Sequence, residues 1–516
     1  MLSHRVRRSL KFGGITPPSN KAATLRSRIM PMPLPARLLL PLQQYREQPA
    51  QPCVNVGDRV LKYQLIARGT GASGLNLHAP SSGTITAIDL EVDFFIKGRT
   101  QTAIELQTDG EDSALPLSGM EEIEAFEAEQ IITCVEEAGV CGMGGAGFPS
   151  ATKLRACLNQ EMEYLLINAA ECEPYISCDE ALLRERASTV VRGAEVIQRA
   201  CQARQVKIVI ESDKADAIAA LREALQASTI TLCLVSPRYP AGEERQLLRA
   251  ATGIEISREQ LPTDVNCLVF NAGTAAAIYA AVIEGRPCIS RIVSLSGAPL
   301  QTPKNFEALI GTPISHLLAL CGIDERVHVD TFIGGSMMGM YLPATSLPIC
   351  KTTNSVVATD NVQFPLPDNE LACIRCGYCA DACPENLLPQ QLLQFSRSRA
   401  FEQATDHGLD DCIECGACAY VCPSKIPLVH YYRAAKEEIA AETANKRQGE
   451  QRKQRFQYWQ YRRKLQQEAR QQERADTGKT ASLAETNAEE PFSREKARAD
   501  IAAAVARVKQ KREKKD

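Results

Sequence analysis

Aromatic side chains are scarce, 5 % of the chain with a single Trp, and there are only six histidines. No stretch reaches the roughly 18 continuous apolar residues of a membrane span. The longest candidate, 268–283, is interrupted by Asn271, Gly273 and Thr274. The basic start, Met1 to Phe12, is not followed by an apolar h-region, so no secretory signal is expected. The 20 cysteines are therefore expected in a reducing compartment, as metal ligands or small buried residues rather than disulfides. There is also little net charge: −3 argues against nucleic-acid binding by the whole chain. What charge there is lies unevenly, because 431–516 holds 22 Lys and Arg against 14 Asp and Glu. That asymmetry predicts a basic tail with its own partner.

A length of 516 residues suggests about three or four domains. Residues 1–41, rich in Pro, Gly and Arg, read as an extended arm. Residues 42–115 read as all-β, with turns at Val56-Gly57-Asp58 and Ser81-Ser82-Gly83 between short alternating strands. This pattern resembles the barrel-sandwich hybrid of lipoyl and biotinyl carrier domains. Those carriers modify a lysine at a hairpin tip, but 67–77 has none, so a structural module is expected. Residues 127–285 alternate short apolar strands (164–168, 206–210, 229–235) with helical periods such as 214–225, which predicts a parallel sheet with helices on its faces. A small β-rich unit follows at 288–345, then a cysteine segment at 364–430 and a charged helical tail at 431–516.

The cysteine segment has the sharpest signal. Cys373-x2-Cys376-x2-Cys379-x3-Cys383-Pro384 is followed by Cys412-x2-Cys415-x2-Cys418-x3-Cys422-Pro423. This is the spacing of a double [4Fe–4S] ferredoxin, in which the fourth cysteine of each run ligates the other cluster. One cluster is thus assigned to Cys373, Cys376, Cys379 and Cys422, and the other to Cys412, Cys415, Cys418 and Cys383. A zinc site would use four ligands and would leave both Cys-Pro pairs unexplained.

A second constellation lies upstream. Gly142-Met143-Gly144-Gly145-Ala146-Gly147-Phe148-Pro149 precedes a helix with Lys153 in it, and such a loop can close backbone N–H groups around a phosphate. Asn168-Ala169-Ala170-Glu171-Cys172-Glu173-Pro174, Tyr239-Pro240-Ala241-Gly242-Glu243-Glu244 and Asn271-Ala272-Gly273-Thr274 fall at strand ends, the ligand edge of an open α/β sheet. Taken singly, Glu243 and Glu244 read equally as first-turn helix charges, and Asn168 or Asn271 as helix caps.

Together these motifs resemble the FMN- and NADH-binding flavoprotein subunit of respiratory complex I, with its G-x-G-G-x-G-F-P-x-x-x-K, N-x-D-E-x-E-P and Y-x-x-G-E-E in the same order. The resemblance implies non-covalent FMN held by Gly142, Gly144, Gly145, Gly147 and Lys153. It places Asn168, Glu171, Tyr239, Gly242, Glu243, Asn271 and Thr274 around the flavin, with Phe148 against the nicotinamide. It also makes Glu171, Glu173 and Glu244 the acidic residues of the reaction, the last two on the NADH side. Ala170 departs from the family's Asp, so one polar contact to the flavin is missing or replaced.

The order of all these parts resembles the C subunit of the Rnf (Rsx) ion-translocating electron transport complex. Phe12-Gly13-Gly14-Ile15-Thr16-Pro17-Pro18 and the Ala- and Lys-rich 498–509 support this. The resemblance implies an NADH-dependent oxidoreductase subunit of an ion-translocating complex, working with integral and peripheral partner subunits. It implies a peripheral location on the cytoplasmic side of a bacterial inner membrane and makes 288–345 a soluble-ligand-binding β-grasp unit. Two other readings stand beside it: a soluble flavin and iron–sulfur cobalamin reductase, and a non-catalytic iron–sulfur electron-transfer adaptor with degenerate nucleotide binding.

Overall fold

The computed structural model describes residues 13–44, 49–71, 74–93, 100–119, 123, 126–158, 160–257, 259–323, 329–342, 344–360, 370–485 and 493–512. Phe12, the rest of the basic start and the expected ferredoxin boundary at 364 lie outside them. The chain divides into two units, Met1–Lys436 and Glu437–Asp516.

In the first unit, the barrel-sandwich domain is two small antiparallel sheets. One runs in the order Arg37–Pro41, Thr100–Thr108, Gly83–Asp93, Arg59–Val60, and the other Gln51–Pro52, Leu65–Arg68, Leu77–His78. Alternation makes the core: Leu38 and Leu40 point inward from one strand and meet Ile66, Leu77, Ile85, Ile104 and Leu106. The first strand comes from within the segment read as an arm.

The α/β domain has four parallel strands in the order Thr231–Val235, Gln205–Glu211, Tyr164–Asn168, Cys267–Asn271. Both faces are covered. Leu165, Ile167, Val206 and Ile208 pack under the Cys178–Cys201 and Ala272–Val282 helices, while Leu166, Val209 and Val269 pack under Leu247 and Leu248 of the Glu244–Thr252 helix. This double burial explains why these strands read as continuous apolar runs. From the Tyr164–Asn168 strand the chain builds outward to one side and then returns to add Cys267–Asn271 on the other. The strand order therefore reverses between these two strands, the place where open α/β sheets bind ligands.

The third sheet has six strands: Met30–Pro31, Lys304–Leu309, Ser290–Ser296, Ser355–Thr359, Asp330–Ile333 and Met340–Tyr341. Two of these strands lie outside 288–345. Ser355–Thr359 is an inner strand buried along its whole length, so it shows no alternation, and its parallel pairing with 294–296 reaches across some sixty residues of chain. The ferredoxin part is built of short helices, Tyr378–Asp381, Pro389–Arg397, Phe401–Asp406 and Ala417–Tyr420.

The second unit holds most of the Leu428–Glu485 helix and the Arg494–Arg512 helix, and every side chain described from 440 to 475 is exposed. Among the described residues no helix is long and apolar enough to cross a membrane.

Candidate flavin and iron–sulfur sites

Asn168 and Asn271 end the two strands that flank the reversal, and they are register partners. Asn271 caps the Ala272–Val282 helix, accepting from the Thr274 amide at 3.3 Å, and donates to Asp179 at 2.6 Å. The Thr274 hydroxyl accepts from the Met143 amide at 2.8 Å, which pins the glycine-rich loop to the same edge. The loop closes on itself through Gly142 N–H to Phe148 C=O at 2.8 Å and Gly147 N–H to Gly142 C=O at 3.1 Å. Its crown, Gly144-Gly145-Ala146, is exposed. Gly145 has φ +108°, and a Cβ there would meet nothing within 4 Å. On the opposite side, Asn168 donates to Gly242 C=O at 2.8 Å. A Cβ on Gly242 would lie 2.4 Å from Ala170 O, so this glycine lets the 239–244 loop close on the 168–171 turn.

Lys153 reaches the edge from the Ser150–Arg155 helix, donating to Val269 C=O at 2.7 Å and pairing with Glu244 at 2.9 Å. Exposed loop backbone beside a lysine, over paired asparagines at the reversal point, fits the phosphate and polar rim of FMN.

The other acidic residues have structural work. Both oxygens of Glu171 serve the start of the Cys178–Cys201 helix: Oε1 accepts from the Asp179 amide at 3.0 Å and Oε2 from the Glu180 amide at 3.2 Å. Its backbone carbonyl accepts from buried Lys21, donated by the N-terminal arm. Glu173 accepts from the amides of Met337 at 2.5 Å and Met338 at 3.3 Å, anchoring a hairpin of the third sheet. Burial pushes its carboxyl up to about 7 although those amides pull it down. Glu243 caps the Glu244–Thr252 helix through the amides of Arg245 and Gln246, both at 3.0 Å. Phe148 is partly exposed beside the loop. Tyr239 is 2 % exposed, and its hydroxyl donates to Cys415 C=O at 2.6 Å. Its side chain thus faces the cysteine segment. Sequence spacing did not single out Asp179 or Lys21, which meet these motifs only through folding.

The structure brings the first and second cysteine runs together. Cys383, Cys412, Cys415 and Cys418 line one small pocket together with Leu392, Val429 and Tyr432. Burial, then the neighbouring Cys383 and Cys412, push the Cys415 thiol up to about 12. In the other group, burial raises the Cys379 thiol and its neighbours Cys376 and Cys422 add to the effect. The backbone repeats with the motif: Arg375 and Glu414, Gly377 and Gly416, and Asn386 and Lys425 all take positive φ at matching places in the two runs. The Cys383 thiol also accepts from the Leu387 amide at 3.4 Å. A pocket lined by Cys383 of the first run with Cys412, Cys415 and Cys418 of the second, in a duplicated backbone, fits iron–sulfur ligation of the dicluster kind.

The groups differ in surroundings. Cys415, Ala417 and Ala382 pack with Tyr239 and Ile15 in one buried cluster, and Lys436 donates to Cys412 C=O at 2.6 Å. Cys373 and Cys376 are exposed, with Ile374 and Tyr378 exposed beside them.

Three stretches of the chain match models of known domains. Residues 10–111 match the RnfC barrel sandwich hybrid domain, 135–280 the Nuo51 FMN-binding domain, and 372–426 a 4Fe-4S dicluster domain. The chain is 44 % identical over 462 residues to the C subunit of the ion-translocating oxidoreductase complex of Pseudomonas aeruginosa, covering 90 % of this chain and 60 % of that one. It is 39 % identical over 500 residues to the protein of the same name from Salmonella typhimurium, covering 97 % and 66 %. The chain thus spans about 60 % of the length of the first of these relatives. Among solved structures, an NAD+-reducing [NiFe]-hydrogenase in the air-oxidized state is 20 % identical over 57 % of this chain and 60 % of that one, with a TM-score of 0.43. By its barrel-sandwich, flavin-binding and dicluster domains, and by its identity to these relatives, the chain belongs to the RnfC family, the C subunits of ion-translocating oxidoreductase complexes.

Proposed function

We propose that the chain oxidises NADH, or reduces NAD in reverse, at non-covalently bound FMN and exchanges single electrons with partner subunits through two [4Fe–4S] clusters. It does so as a peripheral subunit on the cytoplasmic side of a bacterial inner membrane, in a complex that couples this transfer to ion translocation. When bound, the flavin supplies two-electron exchange with a hydride donor and one-electron exchange with the clusters. The chain's own residues bind and orient. The glycine loop and Lys153 hold the phosphate, Asn168 and Asn271 line the edge, and Glu244 stands beside Lys153 where the nucleotide enters. The observation that carries the reading is Tyr239, which leaves the flavin edge and ends on the carbonyl of a cluster ligand. The buried Cys383 group then faces the flavin, and the exposed Cys373 group faces the partner. Two features favour a non-catalytic adaptor: Ala170 replaces an acidic residue, and Glu171 is committed to a helix start.

The tail supplies the docking surface in this reading. From Lys446 to Lys464 there are eight basic residues and one acidic, Glu450. Phe456 stacks on Trp459 at 5.8 Å, Arg463 lies over the Trp459 ring, and Tyr458, Tyr461 and Leu465 are exposed with them. A basic helix with an aromatic edge suits an anionic membrane surface or a partner subunit. Truncation after Ile439 tests this, because it keeps Tyr432, Arg433 and Lys436, which hold the cluster loops. NADH-driven reduction of a small dye should persist within about twofold, and the affinity for membranes should fall by about tenfold, a loss of about 1.4 kcal/mol in binding. A truncated chain held on membranes as firmly as the full one would place the docking surface elsewhere.

A further inference from the structure

The N-terminal arm passes through the contact between the flavin edge and the buried cysteine group, and its sequence there is Gly13-Gly14-Ile15. Ile15 and Tyr239 exchange both backbone hydrogen bonds at 2.9 Å. One residue earlier, the Gly14 amide donates to Ala382 C=O at 2.8 Å, on the residue preceding Cys383. The Gly14 carbonyl accepts from Arg238 at 2.9 Å. One strand of backbone is therefore bonded on one side to the flavin-edge loop and on the other to the cluster loop. The space allows backbone only. A Cβ on Gly13 would lie 2.0 Å from Cys383 O, and one on Gly14 would lie 2.7 Å from Tyr239 O. Both glycines take positive φ, +49° and +78°, which L side chains rarely adopt. Alongside, Gln246 donates to Glu385 at 2.9 Å and Arg245 pairs with the same carboxylate at 3.6 Å.

We propose that Gly13-Gly14-Ile15 is a positioning staple that holds the Cys383 loop against the Tyr239 loop and so sets the rate of electron exchange between the flavin edge and the Cys383 group. The proposal rests on the functional reading above and deepens it. These residues touch neither substrate nor reacting atoms. They fix a separation on which electron exchange depends steeply, and misplacements on the order of 1 Å register as large rate losses.

The test uses the full chain carrying flavin and iron. Gly14→Ala should keep flavin and iron content, and NADH-driven dye reduction at the flavin should stay within about twofold. Reduction of the clusters by NADH should slow by about tenfold or more. Hydrogen exchange at the Ile15 and Tyr239 amides should rise, and the electron paramagnetic resonance spectrum of the dithionite-reduced Cys383 cluster should change. Arg238→Ala, which removes one bond without a clash, should move the same readouts more weakly. Gly57→Ala is the control: it also has positive φ, +94°, but a Cβ there meets nothing within 4 Å, so it should change none of them. Unchanged cluster reduction in Gly14→Ala and Arg238→Ala, with faster exchange at both amides, would overturn the proposal. If NADH fails to reduce the unmodified chain, the functional reading falls instead, while the exchange and dithionite measurements still decide whether the staple positions the cluster.

Discussion

Replacing Cys422 by alanine is expected to remove about four of about eight irons, and the cluster lost is the one held by Cys373, Cys376 and Cys379. The residue lies in the second cysteine run, so a local reading of the motif assigns it to the Cys412 group. The crossed pairing expected for a double ferredoxin assigns it otherwise. Burial and then its neighbours Cys376 and Cys422 raise the Cys379 thiol, whereas the pocket lined by Cys412, Cys415 and Cys418 takes its fourth cysteine, Cys383, from the first run. The reciprocal change, Cys383→Ala, should empty the buried group and spare the exposed one. Iron analysis and the paramagnetic resonance of each reduced variant distinguish the two losses. If Cys422→Ala harms only the Cys412 group, the ligands are not crossed.

Gly145→Val should release the flavin while the protein stays folded. A β-branched residue at φ +108° is strained by about 1–3 kcal/mol, an amount that a domain stable by about 5–15 kcal/mol tolerates. No atom lies within 4 Å of the new Cβ, so no packing clash adds to the strain. The side chain would stand at the exposed crown of the loop, where backbone N–H groups would meet the phosphate in the proposed site. Flavin affinity should fall by at least about tenfold, or about 1.4 kcal/mol. Gly253→Val, at φ +83° in the same domain and also without a neighbour within 4 Å, carries comparable strain away from the edge and should keep its flavin. Flavin retained at full occupancy in Gly145→Val would remove this loop from the site.

The parts legible in the sequence are those whose signal is local. The cysteine runs, the glycine loop and the alternation of strand and helix each lie within a few tens of residues, and the structure brings the four flavin-edge motifs to one sheet edge. What could not be read depends on contacts across long stretches of chain. Glu171 looks like a flavin ligand because of its motif, yet its oxygens serve a helix that starts at Cys178, with Lys21 arriving from the arm. Tyr239 belongs to a flavin motif by spacing, but its hydroxyl bonds a carbonyl 176 residues away. Ser355–Thr359 was invisible as a strand because burial on both faces erases the alternation that marks a half-exposed one. Gly13-Gly14 carried a family resemblance and no stated function, since the atoms that exclude a Cβ there belong to Cys383 and Tyr239.

The most direct measurement of the central claim is an anaerobic titration of the flavin- and iron-loaded chain with NADH, followed by visible absorption. A flavin edge joined through Tyr239 to a cluster loop predicts that flavin and cluster absorption bleach together, ending at about two NADH per chain, the capacity of one two-electron flavin and two one-electron clusters. Absorption that dithionite bleaches but NADH leaves unchanged would contradict the account and make the chain a non-catalytic adaptor.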